Sequence, residues 1–331
     1  MKHVSILIPQ GDVSVVNIMG SYQVLGAANE QYQRQHRKPL FEIDLVGFGA
    51  VGSAKPGAAQ IMPTKWWKEV LLTDLIIIPA VHDDPALVIR ENQELLQFVT
   101  QHYKNGATVS SMCIGAYLLA ASGLLNGKNC SVHWQHAPYL QAMFPQVQVK
   151  GERLITDQQG IITSGGAYAF TNLLIYLVEK YGGRELAVLI SKLFMIDIDR
   201  KYQSVYQLFA GQKEHRDETV LQVQEYIENN IGDKFTIDEL AQNHNLVRRT
   251  LERRFRSATG NSIIEYTQKV RMEAAKINLE KGRKTVSEVM YDCGYTDSKA
   301  FRDVFKKCVG LSPLEYRKKY MMEVDKKSSL L

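Results

Sequence analysis

The sequence predicts an α/β doubly wound sandwich followed by an all-α domain with two helix-turn-helix units. Three observations predict it. Over the first ~190 residues, short apolar runs alternate with amphipathic segments, as buried parallel strands alternate with covering helices. Beyond residue 218 no segment has strand character, and the one proline is Pro313. Within 236–316 one pattern occurs twice, about 50 positions apart, which marks a repeated supersecondary unit.

Taken in order, 4–8 reads as a buried strand and 17–33 as a helix. The period-two alternation of 41–48 predicts a strand, and the apolar run 75–78 another, stopped by Pro79. An amphipathic helix follows over 85–104, a strand over 107–111 and a helix over 114–122. Strands at 147–150 and 161–163 flank a polar turn at 157–160. Helices over 167–181 and 185–195 close the first domain, so it spans 1–195. The polar stretch 196–217 reads as a linker, 218–320 as the helical domain and 321–331 as a flexible tail.

The chain has 331 residues, 45% hydrophobic and 23% charged, which suits a folded protein of two domains. No apolar run reaches membrane-spanning length, and the N-terminus is too quickly polar for a signal peptide. The four cysteines (Cys113, Cys130, Cys293, Cys308) lack CxxC spacing. That points away from zinc or a disulfide framework and toward a reducing cytoplasm; no metal and no cofactor are expected. From His244 to Lys284 eleven Lys/Arg face four Asp/Glu, a basic zone suited to a polyanion.

In the first repeat, Ile237, Leu240 and Ala241 share a helix face, and Thr236 with Glu239 forms a capping box. His244 and Asn245 supply the turn, and Leu251 and Phe255 bury the next helix. Its other faces carry Arg248, Arg249, Thr250, Glu252, Arg253, Arg254 and Arg256. Exposed N-terminal positions of such a helix approach base edges, where Arg pairs with guanine through two hydrogen bonds. Arg249, Glu252 and Arg253 are the base-edge candidates; Arg248, Arg254 and Arg256 suit phosphate contacts or solvent. A long helix over 262–280 is the expected spacer, with Ile263, Ile264, Val270, Ala274 and Ile277 packing on both units. In the second repeat Val286, Val289 and Met290 pack, and Cys293 and Gly294 turn the chain. Phe301 and Phe305 then anchor a helix that exposes Ser298, Lys299, Arg302, Asp303 and Lys306. Lys299 and Arg302 are its best readers.

Thr250, Leu251, Glu252, Arg253, Arg254, Phe255 and Gly260, then Arg271 to Ala275, Cys293-Gly294-Tyr295, Phe301 with Phe305, and 310–317 together resemble the AraC/XylS family of bacterial regulators. The resemblance covers about a hundred residues. It implies sequence-specific binding of double-stranded promoter DNA, with dimerisation or effector response in the other domain. Lys299 with Asp303 departs from many members, so no operator sequence carries over.

In the first domain, strand residues Ser110 and Ser111 run into Cys113, Ile114 and Gly115, and a small-residue helix follows. This is nucleophile-elbow spacing, which exposes a thiol at a helix start and lowers its pKa. With Ser164 to Gly166 and the α/β pattern, residues 1–195 resemble the PfpI-like, class I glutamine-amidotransferase-like (flavodoxin-like) superfamily. The combination looks like the GlxA-like regulators. Two departures matter: Ile114 stands where PfpI-like enzymes carry His, and Ser14 stands at the position of their acid. A cysteine without a base is not activated in the usual way; His133, beside Trp134, is the residue that would have to supply one. Three readings stay open: a small-molecule sensor with a vestigial Cys113, a homodimerisation scaffold, and a cysteine hydrolase, amidase or glyoxalase-like enzyme. A pocket at the carboxyl ends of the strands would draw on Gly11, Asp12, Asn17, Cys113, Ile114, His133 and Gly165.

Overall fold

The apolar runs of the first half form a seven-stranded sheet. The computed structural model describes residues 1–49, 61–209, 211–213 and 215–321, and the chain divides into two units, Met1–Gln203 and Ser204–Leu331. In the first unit the strands are β1 (Lys2–Ile8), β2 (Phe41–Gly47), β3 (Lys65–Trp66), β4 (Leu75–Ile78), β5 (Thr108–Met112), β6 (Asn129–Cys130), β7 (Gln148–Val149), β8 (Ile155–Gln158) and β9 (Ile161–Ser164). The main sheet runs β3-β2-β1-β4-β5-β9-β8, parallel except for the edge strand β8. β1 is the hub: Val4 pairs with Ile43 on one side and Leu75 on the other. The whole of β4 is buried, because helices cover both faces.

Those helices are α1 (Val15–His36), α2 (Pro85–Glu91), α3 (Gln93–Lys104), α4 (Ala116–Ala121), α5 (Ala137–Met143), α6 (Phe170–Gly182) and α7 (Arg184–Leu193). α1, α6 and α7 pack together, as do α2, α3 and α4, the two layers of a doubly wound fold. The order of strands reverses between β1 and β4, which makes the loops after them the natural ligand crevice.

Three expectations change. The helix expected over 85–104 breaks at Asn92, whose side chain accepts from the Gln10 N–H and donates to the Gln10 and Val88 carbonyls. Bonding the loop after β1 takes precedence over helix continuity. The segment 147–150 does not flank the hairpin: β7 pairs with β6 in a separate two-stranded ribbon, and β8–β9 form the hairpin. The helix expected from 114 begins as a 3₁₀ turn, Cys113–Gly115, before α4.

The second unit is helical throughout its described residues: α8 (Glu218–Asn229), α9 (Ile237–Asn243), α10 (Arg248–Thr259), α11 (Ile263–Lys281), α12 (Val286–Asp292), α13 (Ser298–Val309) and α14 (Pro313–Tyr320). Capping boxes open α9, α11, α12 and α14, from Thr236, Ser262, Thr285 and Ser312; each such cap stabilises its helix by about 1 kcal/mol. The unit has two cores. One gathers Val220, Leu240, Leu251, Phe255 and Tyr266; the other gathers Met272, Leu279, Val289, Phe301, Phe305 and Tyr316. α11 serves both, through the expected Ile263 and Val270 in one core and Ala274 against the other, but not through all the residues expected. Ile264 and Ile277 are exposed, while Tyr266, Met272, Ala275 and Leu279 are buried. At about 100° per residue, the stripe Ile263-Tyr266-Val270 and the stripe Met272-Ala275-Leu279 lie on nearly opposite faces. A single apolar face would have placed both cores on one side.

Residues of the expected linker belong to the units themselves. Ile196 and Ile198 pack on the first core, Phe209 on the second and Val205 on the third. The expected tail lies outside the described residues beyond Met321.

Candidate nucleic-acid interface and ligand site

Each helix-turn-helix is built the same way. α9 buries Ala241 in the core near its end, and the turn runs through Asn245 in the left-handed region (φ 54°) before α10 starts. In the second copy Gly294 takes that conformation (φ 76°) before α13. Leu251 and Phe255 in α10, and Phe301 and Phe305 in α13, are at most 1% exposed, so the opposite face of each helix is fixed toward solvent. Arg248, Arg249, Arg253 and Arg256 are exposed on α10, with Thr250 and Glu252 half-buried; Ser298, Lys299, Arg302 and Lys306 are exposed on α13.

Their pairing divides them. Arg248 bonds Asp238 at 3.2 Å and Glu252 at 3.1 Å, so it and Glu252 neutralise each other. Arg254 reaches Asp217 through Nε at 2.8 Å and Nη2 at 2.6 Å, and the guanidinium holds that carboxyl below its ordinary value. It ties α10 to the start of α8, a structural duty in place of the phosphate or solvent role expected. Arg302 donates to the Ser298 carbonyl in its own helix. Arg249, Arg253, Arg256, Lys299 and Lys306 have no hydrogen bond or ion pair among the described residues. Exposed cations left open, Arg249 and Lys299 in the first turns and Arg256 and Lys306 in the last, suit an incoming anion or base edge.

In the first unit, three strand ends converge. Gly11 (φ 111°) has no room for a side chain, since a Cβ would lie 2.7 Å from Asp83. The Asp12 N–H donates to the Asp83 carboxylate, and the Ala80 N–H donates to Asn17 Oδ1 at 3.1 Å. Cys113 sits in the left-handed region (φ 53°), the strained elbow the sequence implied. Gly115 permits the elbow: a Cβ there would lie 2.4 Å from the Pro79 carbonyl oxygen.

The thiol is not activated, however. Cys113 is 7% exposed, and burial pushes its pKa up to about 11, against a smaller opposing pull from the Ile114 N–H. Burial therefore outweighs the elbow's N–H, and the pKa rises, opposite to the expectation. Ile114 packs on the hydrophobic core, and Ser14 caps α1. His133 accepts from the Gln135 N–H and stacks on Trp134, with no hydrogen bond to Cys113. Burial, then His136 nearby, lowers its pKa. Gly165 is covered by the Gln203 side chain, which donates to the Val132 and Arg153 carbonyls. Sequence reading missed Gln203 and Asn92; buried amides leave no periodic signal.

Comparison with known proteins divides the chain likewise. The DJ-1/PfpI family model matches residues 34–180, and a helix-turn-helix domain model matches 240–319. The HTH-type transcriptional regulator GbdR of Pseudomonas aeruginosa is 29% identical over 259 residues, 78% of this chain and 70% of that protein. The regulator GlxA of Rhizobium meliloti is 25% identical over 65% of this chain and 66% of its own. Isonitrile hydratase of Pseudomonas putida is 26% identical over 56% of this chain and 74% of its own. A solved AraC family transcriptional regulator from Pseudomonas putida superposes with a TM-score of 0.50 at 17% identity, over 59% of this chain and all of its own, a likeness of fold.

Proposed function

We infer that this chain, which joins a DJ-1/PfpI-family domain to an AraC-type helix-turn-helix domain, is a transcriptional regulator that reads promoter DNA through α10 and α13. The observation that carries this is the repeated unit itself: two buried aromatic or aliphatic anchors per helix, and open cations on the exposed side of each. Arg249 and Arg253 read bases in the first copy, Lys299 and Arg302 in the second, and Arg256 and Lys306 grip phosphates. Arg248 and Glu252 act as a pair that orients the start of α10. The first domain senses a small metabolite at the crevice of Gly11, Asp12, Asn17, Cys113 and Ile114, and brings two copies together. Among the described residues no helix is long and apolar enough to cross a membrane; the cytoplasm is the proposed location.

Selection of duplexes from a random pool by the full chain tests this. An enriched motif with affinity falling steeply with salt, as counterions are released, supports it; an unenriched pool removes it. The elbow of Cys113 favours a second reading, a cysteine enzyme. The Cys113→Ser variant separates the two: unchanged DNA binding with no turnover of carbonyl or amide substrates by either protein leaves the sensor, whereas thiol-dependent turnover establishes the enzyme.

A further inference from the structure

Resting on the DNA-reading function above, we propose that residues 204–209 and 211–213 form a strap that, with Arg271, sets the spacing between the two DNA-reading helices. The two cores of the second unit occupy nearly opposite faces of α11, so one helix carries both halves. A lone helix resists bending only modestly over its 19 residues. Two cross-ties brace it on the remaining faces. On one face the Arg271 guanidinium donates to the Asp233 carbonyl at 2.7 Å and lies over the Tyr295 ring, joining the loop before α9 to the turn before α13.

On the opposite face lie Lys269, Glu273 and Lys276, about 140–160° around from Arg271. All three hold the strap. Lys276, 3% exposed in spite of its charge, donates to the Gln207 carbonyl and to Glu273. Glu273 accepts from the Phe209 N–H at 3.2 Å. Lys269 lies over the Phe209 ring, which packs edge-on against Tyr266. The strap is anchored in both halves: Val205 enters the core that holds Phe301 and Phe305, and Phe209 packs on the core that holds Leu251 and Phe255. Gln212 then accepts from Asn261 at 3.1 Å. A buried lysine is costly unless fully partnered, and here one of its two partners, the Gln207 carbonyl, is a strap group, while the other, Glu273, lies on α11 and itself accepts from the strap. The residue before the strap, Gln203, is fastened in the first unit through Val132 and Arg153.

The test uses the full chain and the duplex it selects from a random pool, remade with one base pair inserted between the two contacted grooves. Wild type should lose tenfold or more in affinity on the insertion. Lys276→Met and Phe209→Ala should lose less than about threefold, while binding the uninserted duplex within about fivefold of wild type. Gln212→Ala, which leaves both cores intact, should fall between them and keeps the test decisive if a core variant does not fold. Equal spacing penalties in wild type and every folded strap variant overturn the strap and leave DNA reading standing. A pool without enrichment overturns both.

Discussion

The two helix-turn-helix copies share a backbone plan but not a charge plan. α10 is preceded by Val247, which offers no side-chain cap, so the Thr250 N–H turns back to the Val247 carbonyl at 2.9 Å; α13 is preceded by Asp297, whose carboxylate accepts from the Ala300 N–H at 2.6 Å. The first copy is arginine-rich and spends Arg248 and Arg254 on internal pairs. The second relies on Lys299, Arg302 and Lys306, with Asp303 among them. An uncapped helix start attracts a phosphate; a carboxylate-capped one has already satisfied part of that demand. On the proposed DNA-reading function, the difference predicts that the copies divide labour: the first should have the stronger anion grip, and the second should be the more self-stabilised.

The largest effects should come from the cores. Phe255→Ala and Phe305→Ala each remove a fully buried ring and should cost about 3–5 kcal/mol. Because the cores are separate, hydrogen exchange should accelerate mainly across 218–260 for the first and 286–320 for the second. Uniform acceleration in both variants would show the halves to be one cooperative body. Next in size, Arg253→Ala should lose about 1–3 kcal/mol of discrimination at one base pair, whereas Arg256→Ala should weaken all sequences alike. Binding to a panel of single-site variants of the selected duplex separates these outcomes.

Smaller and more pointed is Val247→Asp. It should raise stability by about 1 kcal/mol through a new cap while weakening DNA binding. Stronger binding by that variant would reverse the assignment of the anion grip. The smallest effect is on pH. Asp217 sits below its ordinary 3.8 because of Arg254. Its contribution is therefore complete above that value and fades as pH falls through the lower folded-state pKa. Acid unfolding of Asp217→Asn should lack this component, and an unchanged profile would show that the pair contributes nothing.

How much of this was legible in the sequence follows from the physics of each signal. The repeat, the turns at Asn245 and Gly294, and the anchors Leu251, Phe255, Phe301 and Phe305 stand out because helix periodicity and turn chemistry are local. The central strands of the first unit, such as β1 and β4, stand out because burial leaves apolar runs, whereas the short or peripheral β3, β6 and β8 carry no such run and were not read. What was hidden depends on partners distant in the chain. Arg254 looks like any exposed arginine until Asp217 is placed beside it. Asn92 breaks a helix for the sake of Gln10, 82 positions away. On α11, Ile264 and Ile277 look like core and Tyr266 and Met272 do not, because two stripes on opposite faces leave apolar residues all along the segment. The linker looked free because polar residues can bind backbone as well as water, and Lys276 shows no partner until residues 207–209 lie across it. Ile114 and Ser14, which stand in place of the catalytic pair, were readable because the resemblance supplied the pattern they depart from.

The most direct test of the central claim is competition between the selected duplex and its scrambled counterpart for the full chain at physiological salt. Sequence reading by α10 and α13 predicts a preference of at least about 10³, reduced when Arg253 and Arg302 are replaced together. Equal affinity for both duplexes, unchanged by that double replacement, would contradict it.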